Sequence, residues 1–220
     1  MMPEIDISYR TKIIKSNYSL GEEIFNAISH GIGAILSFFA FFLLVNRLEH
    51  TTKNYVCISF YCFSLFCLYT ISTLYHSLKR GKAKDVFQKL DHCSIFILIA
   101  GTYMPICLIF VGGLLSKIVF AIVCAAAICG IVLNAIDVQK FSKFSMICYI
   151  VMGWSVLLMA KPTFKCLDVD QLFWLVEGGI FYTVGAIIYL IGKKIKYMHS
   201  IWHIFVLFVS ICHFLTLYNI

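Results

Sequence analysis

The sequence contains no Cys-x-x-Cys pair, no Gly-x-Ser-x-Gly pentapeptide and no strand-like alternation of apolar and polar residues. The first absence removes the usual paired-thiol signatures. The second argues against classical serine-hydrolase chemistry. The third argues against a membrane β-barrel, because the apolar runs here are continuous. Charge is also scarce, at 13% of residues. No stretch is long and polar enough to form a separate soluble domain. The formal net charge is +7, yet no recognition motif or interleaved basic–aromatic surface accompanies it, so nucleic-acid binding is not expected. A cleavable signal is not expected either, since Met1–Asn17 is polar with no apolar core close behind it.

What is present is apolar bulk: 61% hydrophobic residues and a mean hydropathy of +0.90. Soluble domains carry about half apolar residues, so the excess must face lipid. At about 20 residues per crossing, 220 residues accommodate roughly seven helices. The runs fall near 27–45, 55–76, 92–111, 117–136, 144–160, 171–191 and 200–218. The expected fold is all-α, an integral membrane bundle over residues 27–220 preceded by a cytoplasmic segment, 1–26. Of the ten cysteines, nine lie in or beside apolar runs and read as reduced packing residues. Cys166 is placed in an external loop with no obvious partner. Pro105 is expected to kink the third span near Gly101, and Gly178, Gly179 and Gly185 to allow close helix contact in the sixth.

Orientation follows from the basic residues. With the N-terminus inside, cytoplasmic segments hold Arg10, Lys12, Lys15, Lys79, Arg80, Lys82, Lys84, Lys89, Lys140, Lys143, Lys193, Lys194 and Lys196. External segments hold only Arg47, Lys53, Lys117, Lys161 and Lys165. The bias places the N-terminus in the cytoplasm and the C-terminus outside, with loop Lys79–Lys89 dominating. That loop otherwise offers a surface for lipid headgroups or a partner.

This topology brings polar residues from distant segments to one depth. Ser72-x-x-x-His76 ends the second span, Asp91 opens the third, and His199-x-x-x-His203 opens the seventh. Residues i and i+4 share a helix face, so His199 and His203 can chelate one ion, with His76 as third ligand. Three neutral imidazoles leave a fourth zinc position for water, the arrangement hydrolysis requires. The competing reading is histidines hydrogen-bonded near headgroups. Intramembrane ionisable groups are costly and mark function by default. Ser72 is placed to position the water or to bond back to a carbonyl four residues earlier. Asp91 is placed to orient a ligand, take a proton, or pair with loop lysines. His92 points about 100° away and is a weaker ligand. Glu23, Asn26 and His30 share one face of the first span and form a candidate supporting network; Glu22 and Glu23 alternatively serve the helix N-terminus. His213 lies about 15 Å deeper than His203 by helix rise and reads as a structural histidine. Glu177 has no evident role.

Further marks are Ser29-His30-Gly31-x-Gly33, Leu90-Asp91-His92, Ile99-Ala100-Gly101-Thr102-Tyr103-x-Pro105, Met152-Gly153-Trp154 and Tyr182-Thr183-x-Gly185. In order and spacing the chain resembles the hemolysin III family, the bacterial branch of the progestin and adiponectin receptor (PAQR) superfamily. The resemblance spans nearly the whole chain. It implies a seven-helix bundle in the bacterial plasma membrane and a zinc ion near the inner face. It also implies zinc ligands at His76, His199 and His203, with Asp91 and Ser72 around the metal's water. Relatives of this kind are similar to alkaline ceramidases, which hydrolyse a lipid amide. The family name implies cytolysis, although no amphipathic soluble-to-membrane segment supports a released toxin. The expected activity is zinc-dependent hydrolysis of a lipid amide or ester at the inner leaflet, with Asp91 and Ser72 as catalytic residues and membrane lipids as partners. The alternatives are a pore-forming hemolysin and a sensor or receptor with structural zinc.

Overall fold

The computed structural model describes residues 18–192 and 195–219. Arg10, Lys12, Lys15, Lys193 and Lys194 therefore lie outside the described residues, as does most of segment 1–26. Among the described residues there are seven helices long and apolar enough to cross a membrane, and no strand. They are α1 (Leu20–Arg47), α2 (Thr52–Ser77), α3 (Lys82–Pro105), α4 (Gly113–Asp137), the pair α5 (Ser142–Gly153) and α6 (Ala160–Cys166), α7 (Val169–Gly192) and α8 (Met198–Tyr218). A 3₁₀ stretch, Trp154–Met159, joins α5 to α6 within one crossing.

α1 shows why these segments need lipid. Its buried face carries Asn26, Ser29, His30, Gly33, Ser37 and Ala40, while Ile28, Ile32, Ile35, Phe39 and Phe42 are exposed. Small and polar residues pack inward and large apolar ones face out, the pattern that lets membrane helices approach closely. Consecutive crossings pack together, and α1 also packs on α8, whereas α5 touches α7 only sparsely. The start of α1, the end of α2 and the starts of α3 and α8 thus share one end of the bundle.

The helices run beyond their apolar cores. α3 begins at Lys82, so most of the supposed Lys79–Lys89 loop is helical and Asp91 sits in its third turn. Hydropathy marks where a helix meets lipid, whereas the backbone ladder continues through polar turns. The fifth crossing likewise extends to Cys166, which is therefore a helix-end residue; its Sγ donates to the Val111 carbonyl at 3.6 Å. All ten cysteines are free.

Pro105 closes α3. Regular α geometry runs up to it, and the irregularity follows as a π turn, Ile106–Val111. Gly112 (φ 64°) and Gly113 (φ 79°) then turn the chain into α4, in a backbone region that favours glycine. The α7 glycines do admit neighbours: a Cβ on Gly178 would meet His213 at 2.8 Å, and one on Gly185 would meet Phe205 at 3.1 Å.

Candidate metal centre

Local sequence fixes the two helix starts that frame the site. Ser19 caps α1 in a reciprocal box with Glu22. Glu22 also accepts the backbone N–H of Tyr197 at 2.7 Å. Tyr197 is the N-cap of α8 and adopts a left-handed conformation, φ 63°. One carboxylate therefore ties the beginning of α1 to the beginning of α8, two residues before His199.

His76, His199 and His203 are all buried, and one ring nitrogen from each lies within 4.8 Å of the others. The Nε2 atoms of His199 and His203 are 3.1 Å apart. A tetrahedral zinc with ligands near 2.05 Å would hold two nitrogens about 3.3 Å apart, so the spacing fits. The Nε2 of His76 is buried without a hydrogen-bond partner. Its other nitrogen, Nδ1, lies 2.7 Å from Oε2 of Glu23. A carboxylate only accepts, so a hydrogen sits on Nδ1, and the neutral ring then carries its lone pair on Nε2. A buried ring nitrogen without a partner, on a histidine grouped with two further imidazoles, is what a metal ligand needs and what a structural histidine avoids. The three residues thus form a group that can hold a metal.

The neighbours divide into two sets. Glu23 bonds His76, and Asn26 packs its amide against the same Nδ1 at 3.5 Å. His30 instead stacks on His203, centroids 3.7 Å apart, and meets Tyr69 edge-on at 5.0 Å. Gly33 makes room for that tyrosine, since a Cβ there would lie 2.6 Å from its ring. Tyr69 donates to Ser210 Oγ at 2.7 Å, joining α2 to α8. The two N-terminal glutamates have separate tasks: Glu22 caps, and Glu23 reaches the site.

Ser72 is 1% exposed, and its Oγ has no hydrogen-bond partner. It does not bond back to its own helix. Asp91 is 6% exposed and lines a cavity together with His30, His199 and Tyr189. Its carboxylate does not pair with the loop lysines. His92 Nδ1 lies 4.0 Å from it, and that nitrogen lies 3.0 Å from the Gln88 carbonyl oxygen. His92 is outside the metal group, as its helical phase predicts.

Two features escape sequence reasoning. Tyr18, just before α1, stacks on His199 with centroids 4.6 Å apart and leans on His76 at 5.9 Å. Burial, with nearby Tyr189, Tyr75, Asp91 and Glu23, holds its phenol well above the ordinary tyrosine range, so it stays neutral. Lys84, counted above as a loop charge, donates to Glu23 Oε1 at 2.9 Å. Neither residue belongs to a metal-ligand spacing, and only packing brings it to the site.

The cavity has a volume of about 180 Å³ and is lined mostly by apolar atoms. It follows α3 from Asp91 to Ile106, about 22 Å by helix rise. Ala160, Phe164 and Leu172 are also among its lining residues. His213, expected to be purely structural, faces this cavity. Glu177 sits on α7 within electrostatic reach of Cys212 and takes no part in the group.

Seven apolar crossings and a buried three-histidine group at one end define a multi-pass membrane protein with a candidate metal centre. The Haemolysin-III related family matches residues 18–214, and the chain belongs to that family. It is 42% identical to Hemolysin-3 of Bacillus cereus over 198 residues, covering 89% of this chain and 90% of that protein. It is 41% identical to the Hemolysin-3 homolog of Bacillus subtilis (strain 168) over 192 residues, covering 86% and 90%. A more distant relative is the ADIPOR-like receptor IZH2 of Saccharomyces cerevisiae, 26% identical over 238 residues with 93% and 73% coverage, which supports the wider PAQR superfamily. A bacterial plasma membrane is consistent with both the family and the fold.

Proposed function

We propose that this protein is a zinc-dependent hydrolase of a long-chain lipid amide or ester, with its metal-bearing end at the cytoplasmic face. One observation carries the reading: His199, a member of the three-histidine group, lines a long apolar cavity together with Asp91. An acyl chain fits the apolar length, and its polar head then lies beside the histidines. Three imidazoles with no thiolate suit zinc. When bound, zinc supplies a Lewis acid that polarises the carbonyl and makes water ionise near neutral pH. His76, His199 and His203 hold it. Asp91 accepts the proton of the attacking water and returns it to the departing nitrogen or oxygen. Ser72 uses its unpartnered hydroxyl to orient that water. Tyr18 covers the group beside His199 and stays protonated. The products are a free acid and an amine or alcohol.

The basic residues support the orientation, because most of them flank the end that carries the histidines. Two relatives bear the name hemolysin, but a conducting pore needs a polar lining and this cavity is apolar. A purely structural zinc favours four protein ligands, whereas the group has three members among the described residues. Both observations favour the enzyme. The test is metal analysis of the purified chain, together with turnover of long-chain lipid amides and esters in bilayers and lipid profiles of cells carrying wild type or His203→Ala. Metal-dependent hydrolysis with about one zinc per chain is expected. Zinc without turnover across a broad lipid panel would replace the hydrolase with a sensor, and ion flux through the purified protein would replace it with a pore.

A further inference from the structure

We infer that Lys84 is a positioning residue for the metal group, acting on His76 through Glu23. Lysines at the ends of membrane helices ordinarily reach out to water. Lys79 and Lys82 do so, but Lys84 is only 5% exposed. A buried ammonium is costly unless each of its hydrogens is used. Lys84 Nζ donates to Glu23 Oε1 at 2.9 Å and to the Leu78 carbonyl at 3.0 Å, and lies 4.9 Å above the Tyr75 ring.

The two oxygens of Glu23 are thereby divided. Oε1 takes the lysine and Oε2 takes the His76 Nδ1 hydrogen. The carboxylate can no longer rotate away from the imidazole, and its charge is balanced where water is scarce. Both effects keep the hydrogen on Nδ1 and the Nε2 lone pair toward His199 and His203. Lys84 also stands seven residues before Asp91, two turns along the same face of α3. The competing role is scaffolding, since the Leu78 carbonyl belongs to the C-cap of α2.

This inference rests on the zinc reading above, and the test separates the two. The full-length chain in lipid nanodiscs is titrated with zinc against a chelator, and the visible spectrum of its cobalt form is recorded. Outer partners of metal-bound histidines are worth about 10- to 100-fold in affinity. Glu23→Gln should fall in that range and Lys84→Met should lose about 10-fold, with Lys84→Arg recovering most of the loss. The cobalt bands should move in Lys84→Met and return in Lys84→Arg. In the Glu23→Gln background, Lys84→Met should add less than about twofold, because its route to the metal is already cut. Lys84→Gln gives the same reading if Lys84→Met does not accumulate. Wild-type affinity in Lys84→Met or Lys84→Gln overturns the inference. So does a loss that multiplies fully with Glu23→Gln, which would make Lys84 a scaffold. A wild-type chain that binds no zinc overturns the zinc reading and this inference together.

Discussion

Removing His203 is the sharpest perturbation of this site. The residue is fully buried, its Nε2 is 3.1 Å from that of His199, and its ring stacks on His30 at 3.7 Å. His203→Ala deletes one of three protein nitrogens and leaves the other two on different helices. Apparent zinc-binding energies in four-ligand sites are about 10–16 kcal/mol, or roughly 3–4 kcal/mol per ligand. One lost ligand should therefore weaken zinc by roughly 100- to 1000-fold. The assay is chelator competition on protein in nanodiscs, with thermal unfolding of the metal-free samples as a check on the fold. His213→Ala is the matched control, because it removes a cavity-lining imidazole outside the group. It should keep wild-type affinity. Full zinc retention in the His199→Ala, His203→Ala double variant would refute the metal centre. Equal losses in His203→Ala and His213→Ala would show that only packing had been disturbed.

Three further outcomes are expected. Asp91→Asn should retain zinc but lose about 100-fold or more in turnover, since an amide cannot accept the proton, while Ser72→Ala should lose less; equal turnover in wild type and Asp91→Asn removes Asp91 from the mechanism. A reporter fused after Ile220 should be external, and a cysteine at position 82 should label only from the cytoplasm; the reverse pattern turns the site to the other face. Gly33→Ala should destabilise the bundle by about 1–3 kcal/mol, because the new methyl meets the Tyr69 ring at 2.6 Å; an unchanged unfolding midpoint would mean the ring yields freely.

The sequence determined the architecture because lipid imposes a one-dimensional constraint. A span must be about 20 apolar residues long, and such runs can be counted. The i, i+4 pair His199 and His203 was legible for a similar reason, since helix periodicity alone puts both on one face. His76 followed once alternating crossings brought the end of α2 and the start of α8 to one end of the bundle. Only the tertiary structure decided which polar groups serve which histidine. Glu22 and Glu23 are adjacent and chemically alike, yet one caps α1 and holds Tyr197 while the other bonds His76. Lys84 could not be told from its neighbouring lysines, because charge counting ignores the direction a side chain takes. Tyr18 precedes the apolar runs altogether and reaches His199 only through folding. Hydropathy and periodicity act along one helix, whereas hydrogen bonds and ring stacking act between helices. The three histidines of the candidate metal group and the Glu23, Asn26 and His30 face beside them were therefore readable in the chain, whereas Tyr18, Lys84 and the division of tasks between Glu22 and Glu23 were not.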